Sequence, residues 1–327
     1  GNDTFTVNTG GSVTLITGGD DNDTVIGDDT DANAFVVNAA NAGSVNGVDF
    51  TGVENLTGGA GIDTFTFGAA LSGTASGGAE DDVFAINDGG SAGTIDGGTE
   101  ATAAGDEVTY AGSTGPVTAA IDGFTDIETL TGSSDTGDVL QGTAGGDAFT
   151  VDGANSGTAG GINYSGFENL DGLAGNDTFT VNTGGSVTLI TGGDDNDTVI
   201  GDDTDANAFV VNAANAGSVN GVDFAGIENL TGGAGGDVFS FTVNDDGGLT
   251  TLDGLGGDDE VTYVGATGPV TIAIDRFTSI ETLTGSANAG DVLQGTTGAD
   301  AFTVDGTNSG TAGGINFSDF ENLEGLA

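Results

Sequence analysis

The stretch "GGAGIDTFT", Gly58 to Thr66, decides how the chain reads. Glycines permit a tight turn with backbone carbonyls turned outward, and Asp63 supplies an anionic oxygen at its end. Phe65 and Phe67 then alternate with Thr64 and Thr66, the period of a strand with one buried face. Similar turns recur: "GGDDNDTVI" at Gly18 and Gly192, "GGAEDDVFA" at Gly77, "GTAGGDAFT" at Gly142, "GLAGNDTFT" at Gly172, "GGAGGDVFS" at Gly232, "GLGGDDEVT" at Gly254 and "GTTGADAFT" at Gly295. In each alternating run the apolar residues are expected to point inward, among them Phe5, Val7, Phe35, Val37, Phe65, Phe67, Phe84, Ile86, Phe149 and Val151. Helix is disfavoured by the glycines and β-branched residues, and no 3.6-residue stripe is present.

Longer repeats contain these short ones. Residues 1–61 recur as 175–235 at an offset of 174, with Thr51 replaced by Ala225 and Val53 by Ile227. Residues 106–174 recur as 259–327 at an offset of 153. The offsets differ, so a block between Ile62 and Gly105 is absent from the second copy without damage to either flank. Such a deletion breaks a globular core but only removes a coil from a solenoid. The expected fold is all-β, a parallel β-solenoid (β-roll or β-helix) of about 16 coils of roughly 20 residues, a rod of roughly 75 Å. The expected organisation is one continuous rod: residues 1–174 as the first long repeat, and 175–327 as the second, one coil shorter. The end "NLEGLA" at Ala327 is in phase with the start "GNDTFT" at Gly1, as "NLDGLA" at Ala174 is with Gly175. Either the segment belongs to a longer tandem array, or copies stack end to end; both give a fibre. The absence of methionine points to a processed product or an excerpt.

Charge sets the next constraint. The 327 residues carry 51 acidic side chains against one basic one, Arg276, a formal net charge of −50. Two carboxylates about 5 Å apart repel by about 3 to 4 kcal/mol at a protein surface, so cations, salt or a basic partner must screen the column. Nucleic acid and anionic membrane are excluded as partners, because both need a Lys/Arg footprint. No apolar run is long enough for a membrane helix, and no disulfide or thiolate metal site is possible without cysteine. The 36% hydrophobic content, including 18 Phe in regular patterns, argues against disorder.

The turns resemble G-G-x-G-x-D-x-U-x, the nonapeptide of RTX (hemolysin-type) calcium-binding proteins, and the long array resembles large bacterial β-solenoid surface proteins and adhesins. That resemblance implies a β-roll with Ca²⁺ between successive turns. It assigns metal-ligand roles to Asp3, Asp23, Asp63, Asp82, Asp138, Asp147, Asp177, Asp197, Asp237, Asp259, Asp291 and Asp300. Asp138 and Asp291 precede Asp147 and Asp300 by nine positions, the spacing of a tandem pair. A shared site needs ligands one coil apart, which favours Asp3 with Asp23, Asp63 with Asp82, and Asp177 with Asp197. The plainer alternative is that Gly and Asp only make good turns and keep the chain soluble.

A second unit recurs as "VENLTG" at Val53, "IETLTG" at Ile127 and Ile280, "FENLDG" at Phe167, "IENLTG" at Ile227 and "FENLEG" at Phe320. Its Glu and Asn are expected to form ladders along the fibre, with cation or ligand binding as the alternative. "NLT" and "NDT" also satisfy the N-glycosylation pattern, inside turns.

Parallel solenoids include enzymes, but catalysis is poorly provided for. Histidine and lysine are absent, Arg276 stands where the sister repeat has Gly123, and only Tyr110, Tyr164 and Tyr263 are left to assist proton transfer. No acid is singled out among the many. The expected function is therefore structural: a calcium-stabilised extracellular solenoid, secreted or at the cell surface, that forms or continues a filament by head-to-tail stacking with copies of itself or with further repeats. The alternative is the stalk of a large RTX-like adhesin, with surface attachment or polysaccharide contact made elsewhere. Millimolar external calcium suits weak sites that the cytosol would leave empty.

Overall fold

The computed structural model describes residues 1–99 and 105–326. The chain is all-β, and its strands pair mainly in parallel. Two single turns of 3-10 helix, Ile121–Gly123 and Ile274–Arg276, are the helical elements of the described residues. No helix there is long and apolar enough to cross a membrane. The chain divides into two compact units, residues 1–142 with 158–168 and residues 143–157 with 169–327.

The first unit holds a six-stranded parallel sheet in the order Thr4–Thr6, Thr24–Ile26, Asn55–Gly59, Thr74–Ala79, Thr94–Thr99 and Phe124–Thr125. A second set runs Ala34–Ala39, Thr64–Phe67, Val83–Ile86, Glu107–Thr109, Thr129–Thr131 and Ile162–Ser165, again parallel. Register places like on like: Phe35 pairs with Phe65 and Phe65 with Phe84, and their rings stack at 4.6 and 4.8 Å. That is the spacing of neighbouring strands, so each ring covers the next along the hydrogen-bonding direction.

The second unit repeats the plan. Ala148–Gly153, Thr178–Val181, Thr198–Ile200, Asn229–Gly233 and Thr251–Leu255 pair in parallel, with Phe149 stacked on Phe179. Val238–Phe241 pairs directly with Glu260–Thr262, whereas in the first unit Val83–Ile86 stands between the corresponding strands Thr64–Phe67 and Glu107–Thr109. The length difference between the two long repeats is thus one strand layer.

The expected inward residues are buried, with Phe5 only half-buried because Thr4–Thr6 is an edge strand. Steps of one uniform length, as the repeats suggest, are not what the chain adopts. Thr64 pairs with Val83 across a short step, but Thr129 pairs with Asn163 across a much longer one. The long steps contain antiparallel hairpins. Ala34–Ala39, Ala42–Val45 and Val48–Thr51 form one, and Ala208–Ala213, Ala216–Val219 and Val222–Ala225 another. Asn46 and Gly47 make the last turn of the first with φ of 49° and 83°. Both values lie in the left-handed region that a two-residue type I′ turn requires and that Asn-Gly adopts most readily.

Candidate metal centre

At most glycine turns the aspartate carboxylate accepts the backbone N–H of a residue in a neighbouring layer. The result is a set of carboxylate columns. In the first unit the Asp63 N–H donates to Asp82 Oδ1 at 2.6 Å and the Asp82 N–H to Asp106 Oδ1 at 2.6 Å. Asn33 begins this column by donating to Asp63 Oδ1, and Glu128 ends it by accepting from the Asp106 N–H at 2.8 Å. A second column runs Asp3 to Asp23 to Glu54, and a third runs Val117 to Asp138 to Glu168. The second unit has Asp147 to Asp177 to Asp197 to Glu228, Asn207 to Asp237 to Asp259 to Glu281, and Val270 to Asp291 to Glu321.

The structure therefore brings together Asp3 with Asp23, Asp63 with Asp82, and Asp177 with Asp197. The contact is a carboxylate oxygen accepting a backbone N–H, which satisfies a donor that the turn would otherwise leave bare. Asp23, Asp63, Asp82, Asp138, Asp177, Asp197, Asp237, Asp259 and Asp291 are buried, Asp147 and Asp300 half-buried, and Asp3 exposed. The Asp291 N–H goes to Glu321, one layer away.

The aspartates fall into two kinds. Where Ser or Thr follows the first glycine, that residue supplies donors to the carboxylate. Asp138 accepts from the Ser133 N–H and Oγ–H, Asp147 and Asp300 from Thr143 and Thr296, and Asp291 from Ser286. Where Gly or Leu follows, that residue has no hydroxyl to offer. The Oδ2 atoms of Asp23, Asp63, Asp82, Asp177, Asp197, Asp237 and Asp259 are buried without a hydrogen-bond partner. Each lies against the Cα of the turn's first glycine. A Cβ at Gly58 would stand 2.0 Å from Asp63 Oδ2 and 2.3 Å from the Gly77 carbonyl oxygen of the next layer. Gly172 has the same neighbours, Asp177 Oδ2 at 2.1 Å and the Gly192 carbonyl at 2.5 Å. The glycine Cα–H thus points at two acceptor oxygens, and no N–H or O–H donor reaches the carboxylate Oδ2.

Burial raises the carboxyl pKa of Asp63, Asp82, Asp177, Asp197 and Asp259. Asp82 is pushed up to about 7 by desolvation, with the charges of Asp63, Asp106 and Asp81 adding to it. Asp177 is pushed up to about 6 for the same reason, with Asp197 and Asp147 nearby, and Asp63, Asp197 and Asp259 also rise through desolvation. Exposed turn acids move the other way: N–H groups of Thr9 and Thr30 hold Asp28 down to about 2.

A carboxylate oxygen and a backbone carbonyl are the donors a hard cation takes. Two protein oxygens per turn fall short of the six to eight that calcium usually collects, and among the described residues no three acidic side chains gather into a metal cluster. These oxygens therefore match a hard cation in donor type and not in donor number, and the glycine Cα fills the space between them.

Asp106 and the six column-ending glutamates are members of the site that the sequence reading did not select. Asp106 is the counterpart of Asp259 between the repeats. The glutamates belong to the recurring E-N/T-L unit, and they close the aspartate columns instead of forming a ladder of their own. Their interval from the aspartate varies, 31 positions for Asp23–Glu54 and Asp197–Glu228, 22 for Asp106–Glu128 and Asp259–Glu281, and 30 for Asp138–Glu168 and Asp291–Glu321, so only the E-N/T-L unit itself marks them in the sequence. No protein family, no curated protein and no solved structure matches the chain.

Proposed function

We propose that the chain is a structural β-solenoid whose task is to be a stiff, extracellular fibre element, with bound cations, calcium foremost, neutralising its acidic columns. The parallel sheets of each unit are then the faces of successive coils. The observation that carries this reading is the recurrence of one rung: the same buried aspartate, first glycine and next-layer carbonyl appear in both units, with no rung singled out for chemistry. Repetition without a distinguished site suits a load-bearing or spacing role and not catalysis.

Calcium enters as counter-ion. The net charge of −50 opposes compaction, and the unpartnered Oδ2 atoms need a cation or a proton beside them. Millimolar extracellular calcium would supply the cation, which favours a place outside the cell, secreted or at its surface. Electron microscopy of the purified chain in millimolar calcium tests the reading. Narrow rods or filaments of uniform width are expected; monomeric rods favour the stalk of an adhesin over a self-assembling fibre, and compact round particles contradict both.

A further inference from the structure

Each long repeat contains a seam where one parallel sheet stops and another starts. In the first unit the six-stranded sheet stops at Phe124–Thr125, and Thr118–Ala120 starts a new one. In the second unit a sheet stops at Thr251–Leu255, and Thr271–Ala273 starts the next. The two seams correspond residue by residue. Asp96 pairs with Thr125 as Asp253 does with Thr278, and Tyr110, Gly123 and Phe124 stand where the second repeat has Tyr263, Arg276 and Phe277.

The seams are filled differently. In the second unit Leu249 is buried, and the Arg276 guanidinium donates to the carbonyls of Leu249 and Thr250 and pairs with Asp246 at 2.8 Å. Tyr263 and Phe277, both against Phe241, are buried there as well. In the first unit the counterparts of Phe241, Leu249 and Arg276 are Ile86, Ala92 and Gly123, all smaller, and Tyr110 and Phe124 are left half-buried. A cleft of about 270 Å³ opens among Ile86, Ala92, Ile95, Tyr110, Gly123 and Phe124. A second, of about 260 Å³, adjoins it along Ile86, Gly90, Tyr110 and Thr118 and has Asp88 in its wall. The hydroxyl and N–H of Thr114 both donate to the Asp88 carboxylate and lower its pKa, so it stays ionised.

We infer that the cleft beside Tyr110 is a binding site for an arginine side chain of a partner polypeptide, which takes in the first unit the place Arg276 takes in the second. Ile86 and Ile95 give the aliphatic stem an apolar floor, and the Tyr110 ring gives the planar guanidinium a surface to pack on. Asp88 and the carbonyl of Ala92, counterpart of the Leu249 carbonyl, are acceptors for its fork of N–H groups. No basic side chain other than Arg276 stands among the 327 residues to fill the cleft. A free amino acid would bring an α-carboxylate into a field of acids, which an arginine within a polypeptide does not. The site uses none of the column aspartates, so its test does not turn on the calcium and fibre readings.

Titration of the full-length chain with N-acetyl-arginine amide, in millimolar calcium and about 0.15 M salt, tests this. The Tyr110 ring resonances, assigned by comparison with Tyr110→Phe, should shift along one saturable curve. Affinity should be at least about fivefold higher than for N-acetyl-lysine amide, which has the same charge without the planar fork. Gly123→Arg supplies the arginine from within, at a position where a Cβ meets nothing within 4 Å, so the variant should fold and bind the arginine amide at least about tenfold more weakly. Ala92→Leu, the second repeat's residue, should weaken binding by filling the cleft from its other wall. Equal binding of the two amides means counter-ion attraction only and overturns the site, as does unchanged binding in both variants. Free arginine bound as tightly as its amide overturns a partner's side chain as the ligand.

Discussion

Gly58 and Asp63 show why the turn needs its first glycine. The side chain of Asp63 occupies the space a Cβ would need, so the glycine is required by contact more than by backbone conformation. Gly58→Ala should destabilise by about 1 to 3 kcal/mol, the usual cost of overpacking, whereas Gly123→Ala, whose Cβ would meet nothing within 4 Å, should stay within about 0.5 kcal/mol in the same urea melt. Asn33 shows what a donor does at a rung. Its Nδ2 donates to the Gly58 carbonyl at 3.2 Å, the kind of carbonyl that Asp82 Oδ2 faces bare at Gly97. Asp82→Asn should therefore stabilise the cation-free chain by about 1 kcal/mol and weaken its response to calcium; a loss of stability without cations would contradict this.

The same carboxyls give a pH dependence of unusual sign. Asp82 and Asp177 have folded pKa values of about 7 and about 6, above the ordinary 3.8, so the folded chain holds more protons than the unfolded one between those limits. Their contribution is fully present below about pH 4 and is lost as pH rises towards 7. Asp28, held down to about 2, works oppositely and loses its contribution as pH falls below about 4. In EDTA the melting temperature should peak in mildly acidic solution and fall by pH 7.5; a rise from pH 5 to 7.5 would refute the assignment.

At the scale of elements, the alternation in "TFTF" and "AFVV" is enough to place the buried faces, because a strand has only two sides and glycine turns bound it. Pairing partners are harder to read. "NAFVVNAANAGSVNGVDF" has the same alternation throughout, and the positive φ of Asn41, Asn46 and Gly47 marks the turns that make it an antiparallel hairpin and not another parallel layer. The aspartates are visible through their glycines. The glutamates that end the columns are not, since their partner N–H lies a whole layer earlier in the chain, as Asp106 does from Glu128 and Asp23 from Glu54. Layered pairing also makes a deletion informative. Removing residues 63–81 joins Ile62 to Asp82, which keeps the G-x-D register and offers Val83–Ile86 to Ala34–Ala39 in place of Thr64–Phe67. That variant should keep its β circular dichroism and a single melting transition. Removing 72–81 instead deletes Thr74–Ala79 alone and leaves its neighbours unpaired, and should abolish cooperative melting. Equal behaviour of the two would argue against stacked layers.

For the whole molecule the question is how 51 acids and one arginine remain folded. Arg276 is committed locally, to Asp246 at 2.8 Å and to the carbonyls of Leu249 and Thr250, and relieves nothing elsewhere. Stacked rings and backbone N–H donors hold the carboxylates in line, and the line requires a positive charge or protons to persist. Thermal melting at pH 7.5 and low ionic strength, in millimolar calcium and in excess EDTA, asks this directly. A melting temperature lower by tens of degrees in EDTA, or no folded baseline at all, is the predicted result, and superimposable curves would contradict the account.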